Sequence, residues 1–210
     1  AILERIGPEG KLLGIDWDCE LIKELRIRNQ ESRAKNLILT CNNYVNLANI
    51  VREHNLDKVS GILFDLGFSS NQLKSSGRGF SFLKNEPLDM RYNINATRTN
   101  AATIINTWEG KAIENILREY GEERYAKKIA RGILYSRSSK KISTTSELVG
   151  VIQRSVPSWY LRGKIHPATR TFQALRITVN SELENLTSVL KDTQEILKKG
   201  GIVVVISFHS

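Results

Sequence analysis

The chain has 210 residues, 40% hydrophobic and 25% charged, with 31 Lys and Arg against 22 Asp and Glu for a net charge of +9. That length holds one large domain, or one domain carrying an insertion, and the composition is that of an ordinary folded protein. No apolar run approaches the ~20 residues that span a bilayer, and no signal-peptide pattern opens the chain. The expectation is a cytoplasmic protein without membrane attachment, whose basic excess points to a polyanionic partner such as nucleic acid.

Residues 1–6 read as the last turns of a helix stopped by Gly7-Pro8-Glu9-Gly10. A strand over Lys11–Ile15 then ends at Asp16, a carboxylate placed to accept from ribose hydroxyls in a nucleotide-binding sheet, or to make a plain turn or cap. A helix over roughly 18–35 follows, with Asp18 or Glu20 as alternative caps. Leu37–Cys41 is the next strand, and Tyr44 after it is placed to lie against an adenine or to pack on the rim of the core. Cys19 and Cys41 are lone and unpatterned; they suit a reducing compartment and read as neither zinc ligands nor a disulfide framework. A helix over 46–55 leads to the central stretch Gly61-Ile-Leu-Phe-Asp-Leu-Gly-Phe-Ser-Ser-Asn-Gln72. Its apolar half reads as a buried parallel strand closed by Asp65. Short strands alternating with helices give an α/β fold with a parallel, doubly wound sheet, and ligands in such sheets sit outside the carboxyl ends of the strands.

After Gln72 the alternation stops. A loop with Arg78, Phe80 and Phe82 follows, whose aromatics are placed either to stack on a base or to anchor the loop. Helices are expected over 100–107, 110–120, 122–137 and 145–156, the last begun by Thr144 or Thr145 with Glu147 near its start. Residues 98–164 carry 13 Lys and Arg against 6 Asp and Glu, so most of the net charge lies here, notably at Arg124, Lys127, Lys128 and Arg131. A face of that kind contacts phosphates without reading sequence, or is simply a solvated helix surface. Trp159 and Tyr160, among Arg154, Arg162 and Lys164, mix aromatics and cations as single-strand binding surfaces do. A long helix from His166 to about Lys198 is then stopped by Gly200-Gly201, and Ile202–Ile206 reads as a buried strand with Ser207 and His209 at its carboxyl end. His54, His166 and His209 show no ligand spacing, and no P-loop or nucleophile elbow is present.

Seven blocks occur in order: the 61–72 stretch, Arg78-Gly-Phe-Ser-Phe82, Pro87-Leu-Asp-Met-Arg91, Tyr120-Gly-Glu-Glu123, His166-Pro-Ala-Thr-Arg-Thr-Phe-Gln-Ala-Leu-Arg-Ile177, Val179-Asn-Ser-Glu-Leu183 and Ser207-Phe-His-Ser210. Together they resemble the RsmH (MraW) family of S-adenosylmethionine-dependent methyltransferases, which methylate N4 of a cytidine in small-subunit (16S-type) ribosomal RNA. The resemblance covers nearly the whole chain. It implies a Rossmann-like methyltransferase domain over 1–80 and 166–210, with a helical substrate-recognition domain inserted over 81–165. It implies S-adenosylmethionine as cofactor, contacted by Asp16, Tyr44, Asp65 and Gln72, and the small ribosomal subunit or its RNA as partner. The family's Gly-rich cofactor loop and first strand would lie before Ala1, and its Leu-Glu-Asp continuation after Ser210, so truncation at both ends is expected. Asn71 stands where many members have Pro.

Methylating the exocyclic amine of cytosine requires acceptors that hold the nitrogen in line and take up a proton; Asp65, Ser69, Ser70 and Asn71 are the expected catalytic residues. Arg78, Phe80, Arg124, Lys127, Lys128 and Arg131 are expected to contact RNA, and no metal is expected. Two other classes stay open at this point. One is a non-enzymatic RNA-binding or ribosome-assembly remnant; the other is a nucleotide enzyme of different chemistry, which lacks the dinucleotide Gly-x-Gly-x-x-Gly fingerprint.

Overall fold

The computed structural model describes residues 2–32, 35–74 and 76–207. The chain divides into two compact units, Ala1–Leu66 with Leu183–Ser210, and Gly67–Glu182.

The first unit opens with α1 (Ile2–Ile6), β1 (Leu12–Asp16), α2 (Cys19–Ser32) and β2 (Leu37–Cys41). A 3₁₀ turn (Tyr44–Asn46), α3 (Leu47–Glu53) and β3 (Val59–Asp65) follow. β1 and β2 pair in parallel, from Leu12 opposite Leu37 to Asp16 opposite Cys41. That register corrects the cysteine reading. It sets Cys41 at the end of β2 beside Cys19 at the start of α2, with Cα atoms 5.1 Å apart, and the two are joined as a disulfide. The partners are 22 residues apart in sequence and meet only through the β-α-β crossover, which no spacing rule anticipates. The cysteines therefore give no argument for a reducing compartment.

The second unit is helical. It comprises α4 (Ser70–Lys74), α5 (Ala101–Thr107), α6 (Gly110–Glu119), α7 (Ala126–Ser139), α8 (Thr145–Ser155), α9 (Ser158–Leu161) and α10 (Thr169–Asn180). Its core joins Leu88 and Met90 of the loop to Ile104, Ile113, Ile129 and Leu175 of the helices. α8 starts with a full capping box: Thr144 Oγ1 accepts from the Glu147 amide, and the Glu147 carboxylate accepts from the Thr144 amide. α7 begins four residues later than the expected 122, because Glu122 takes a left-handed φ of 50°. The loop ahead of α5 is built into this unit. At Gly79, with φ 73°, a Cβ would collide with the Pro87 carbonyl, and Asp89 and Arg91 pair through both carboxylate oxygens. The boundaries of the units thus lie at 66/67 and 182/183, whereas the sequence expectation put them at 80/81 and 165/166. Both shifts have one cause: the 78–92 loop and α10 supply core residues to the helical unit.

The chain returns with α11 (Glu182–Ile196) and β4 (Leu197–Ile206). The single long helix expected from 166 to 198 is in fact α10 and α11, broken at Ser181, which takes a left-handed φ of 49°. β4 pairs in parallel with β3, Gly61 opposite Ile202 through Asp65 opposite Ile206. Phe64 packs with Leu47, Ala48 and Val51 of α3 and with Val189 and Ile196 of α11. The expectation that both strands are buried needs correction. Leu63, Val204, Val205 and Ile206 are exposed, as is Ile202 at 65%. Fold class is as read: α/β, with parallel strands in two two-stranded sheets among the described residues and a helical insertion.

Candidate functional site

Three expected site residues sit at strand ends in the first unit. Asp16 closes β1, and its Oδ1 accepts from the Asp18 amide at 2.7 Å. Asp18, itself buried, accepts from the Glu20 amide and so takes the capping role at α2. The Asn42 amide donates to the Asp16 carbonyl, which carries the parallel pairing one residue past the strands. Tyr44 lies in the turn that follows, held by Asn43, whose Oδ1 accepts from the Val45 amide. The Tyr44 ring meets Phe64 edge-on, with centroids 6.0 Å apart. That contact brings the end of β2 to the end of β3, where Asp65 is exposed. No hydrogen bond or ion pair engages the Asp65 carboxylate among the described residues. Among the described residues such a group stabilises nothing, which leaves it available to a ligand. Ser207 follows β4, and His209 lies outside the described residues.

Ser69, Ser70, Asn71 and Gln72 begin the second unit. The Ser69 amide donates to Gln72 Oε1 at 2.8 Å and the Gln72 amide donates to Ser69 Oγ at 3.1 Å. This is a capping box on α4, readable in the sequence as Ser-x-x-Gln and not recognised there. Gln72 is buried and its oxygen is committed to the cap, while Ser70 and Asn71 are exposed on the first turn.

In the second unit Phe80 is buried and Arg78 half-buried. Arg78 Nη1 donates to the carbonyls of Arg91 and Tyr92, at 3.1 and 2.8 Å. Phe80 is 6% exposed and stacks near-parallel on both Phe68 and Tyr92, with centroids 6.3 and 5.6 Å away. A ring covered in this way meets a base only by displacing a neighbour. Phe82 likewise stacks on His166 at 4.5 Å, and burial lowers the His166 pKa.

The remaining expected RNA contacts share one surface. α7 buries Ala126, Ile129, Ala130 and Ile133, which turns Lys127, Lys128 and Arg131 outward on its opposite side, all exposed. None of the three, nor Arg124 before the helix, has an ion-pair partner among the described residues. Sequence reading missed what supports this helix. Glu123, only 2% exposed, accepts from the Tyr125 amide at 2.8 Å and from the Tyr160 hydroxyl at 3.0 Å, and Arg170 donates to the same hydroxyl. Burial is the largest influence raising the Tyr160 pKa, and the hydrogen bond to Tyr160 is the first cause raising that of Arg170. The available signal was the Gly-Glu-Glu run after α6, since a carboxylate buried beside a tyrosine and an arginine needs both.

Comparison with known proteins bears on this arrangement. Residues 1–210 match the family described as the MraW methylase family. A protein of Clostridium botulinum (strain Kyoto / Type A2) named Ribosomal RNA small subunit methyltransferase H is 43% identical over 209 residues, covering 100% of this chain and 66% of the relative. Proteins of the same name from Syntrophotalea carbinolica and Dictyoglomus thermophilum are 44% and 45% identical; all of this chain is covered, with 66% and 69% of the relatives. The chain thus spans about two thirds of the length of the curated relatives it matches.

Proposed function

The chain belongs to the MraW methylase family over its whole length, and on that premise we propose that it is the cofactor-binding and RNA-binding part of an S-adenosylmethionine-dependent methyltransferase acting on N4 of a cytidine in small-subunit ribosomal RNA. The observation that carries this reading is the exposed carboxylate of Asp65 at the end of β3, unpartnered among the described residues and beside the Tyr44–Phe64 contact. The residues fit the cofactor's chemistry. Asp16 is an acceptor for ribose hydroxyls, Tyr44 an aromatic face for adenine, and Asp65 a negative charge for the cationic methionine end or for the target amine. Gln72 of α4 is the fourth residue assigned to the cofactor. When bound, S-adenosylmethionine supplies a methyl group on a sulfonium, an electrophile that needs no further activation.

What the protein must supply is nucleophilicity and position. The cytosine amine is a poor nucleophile because its lone pair is delocalised into the ring. An acceptor on an N–H favours the pyramidal nitrogen that can attack, and Asp65 is the group assigned to it. Once methylated, the nitrogen is acidic enough for a carboxylate to remove its proton. Ser69, Ser70 and Asn71 are further acceptors assigned to the base. Holding the partners in line supplies roughly 7–11 kcal/mol of a barrier, more than proton transfer does. The base must leave its stack to be reached, and the α7 cations hold the RNA backbone while it does. Work on ribosomal RNA makes the cytoplasm the expected compartment. Family membership favours this enzyme over the RNA-binding remnant.

A calorimetric titration of S-adenosylmethionine into the chain tests the cofactor half: saturable binding is expected, and a silent titration contradicts it. For the RNA half, Lys127→Glu/Lys128→Glu is expected to weaken binding of small-subunit RNA by at least about ten-fold. It also lowers the slope of log affinity against log salt by about 1.4–1.8. An unchanged affinity and slope would remove α7 from the interface.

A further inference from the structure

Resting on the RNA reading above, we propose that Trp159, clamped by Arg124 and Tyr160, is a stacking platform for an unpaired base of the RNA. Trp159 is 54% exposed although it lies on a short helix pinned at its centre. The pin is Tyr160, whose hydroxyl reaches both oxygens of buried Glu123, while Arg170 donates to it from α10. Glu123 also accepts from the Tyr125 amide at the start of α7, so one carboxylate ties α9 to the basic helix.

Tyr125 and Tyr160 meet Trp159 in T-shaped contacts, at interplanar angles of 67° and 90°, and among the described residues no ring stacks parallel on it. The Arg124 guanidinium lies over Trp159 at 5.3 Å and over Tyr125 at 5.5 Å, and the Lys128 ammonium lies 5.5 Å from the Tyr125 centroid. The indole is thus held by cation–π and T-shaped contacts while it stays more than half exposed. A base has a π face whatever its sequence, and its phosphate is negative. The indole takes the first, and the unpaired cations Arg124 and Lys128 take the second. Double-stranded RNA offers no base face to an indole, so the site selects single strands.

The test is binding of an unstructured RNA of about 12 nucleotides and of a duplex of equal length, to the full chain and to Trp159→Ala, Trp159→Leu and Trp159→Phe. Trp159→Leu keeps apolar bulk and removes the π face, which separates stacking from packing. Single-strand affinity is expected to fall about ten-fold in Trp159→Ala and Trp159→Leu and to stay within about two-fold in Trp159→Phe, with duplex affinity unchanged. Saturable quenching of indole fluorescence by the single strand is expected in the parent and absent in Trp159→Leu. Equal single-strand affinity across the series overturns the platform and leaves the RNA reading standing if Lys127→Glu/Lys128→Glu still weakens binding. Loss of ribosomal-subunit binding in Trp159→Leu with RNA affinity intact also overturns it and assigns the surface to a protein. A parent chain that binds neither RNA overturns the RNA reading and the platform together.

Discussion

Asp65→Ala is expected to lower methyl transfer by two orders of magnitude or more, the range set by loss of a positioned acid–base group, while leaving the unfolding transition where it is. The two halves of that result follow from one observation: the Asp65 side chain is exposed at the carboxyl end of β3 and no described residue bonds to it. The β3–β4 pairing around it is main-chain, down to the Leu66 amide donating to the Ile206 carbonyl at 3.0 Å. Removing the carboxylate therefore breaks no bond among the described residues. Asp65→Asn, which keeps shape and loses charge, distinguishes the two assigned roles. A group that only orders the methionine end raises the cofactor KM, whereas a group on the amine lowers kcat with KM unchanged. A rate of methyl transfer within about three-fold of the parent in both variants would remove Asp65 from the site.

Asn180→Ala is expected to destabilise the helical unit by about 3 kcal/mol, from three main-chain groups that lose a side-chain partner, with the one buried bond, to the Met90 carbonyl, costing the most. Asn180 is 1% exposed. Its Nδ2 donates to the Met90 carbonyl at 2.8 Å and to the Arg176 carbonyl at 2.9 Å, and its Oδ1 accepts from the Tyr92 amide at 2.8 Å. One side chain thereby closes the Met90 turn, where φ is 63°, onto the end of α10. The same turn receives Arg78 and places Tyr92 against Phe80. Equilibrium urea unfolding measures the cost. A loss below about 1 kcal/mol would mean that water or a relaxed loop replaces the amide.

The strand ends were readable because a carboxylate closes each short apolar run, Asp16 in β1 and Asp65 in β3. The helices of the insertion were readable from their apolar spacing and, for α8, from Thr144 and Glu147. What escaped depended on contacts that no local pattern encodes. The break at Ser181 carries neither Gly nor Pro and is set by the Asn180 bonds to a loop 90 positions earlier. The exposure of Ile202 and Val204 depends on what covers β4, not on their own apolar character. Of the two alternatives open for Phe80, stacking on a base or anchoring the loop, its contact with Tyr92 fits the second, and Arg78 donates to main-chain carbonyls of the same loop. Glu123 stood in the Tyr120–Glu123 block without a role, and Tyr125 in no block, yet they order the basic helix and the indole beside it.

The most direct test of the account is methyl transfer itself. Small ribosomal subunits without the modification are incubated with the chain and methyl-labelled S-adenosylmethionine, and the RNA is digested to nucleosides. The account predicts label in N4-methylcytidine at a single site, dependent on Asp65. Label in another nucleoside, or none from a chain that binds both cofactor and RNA, would contradict it.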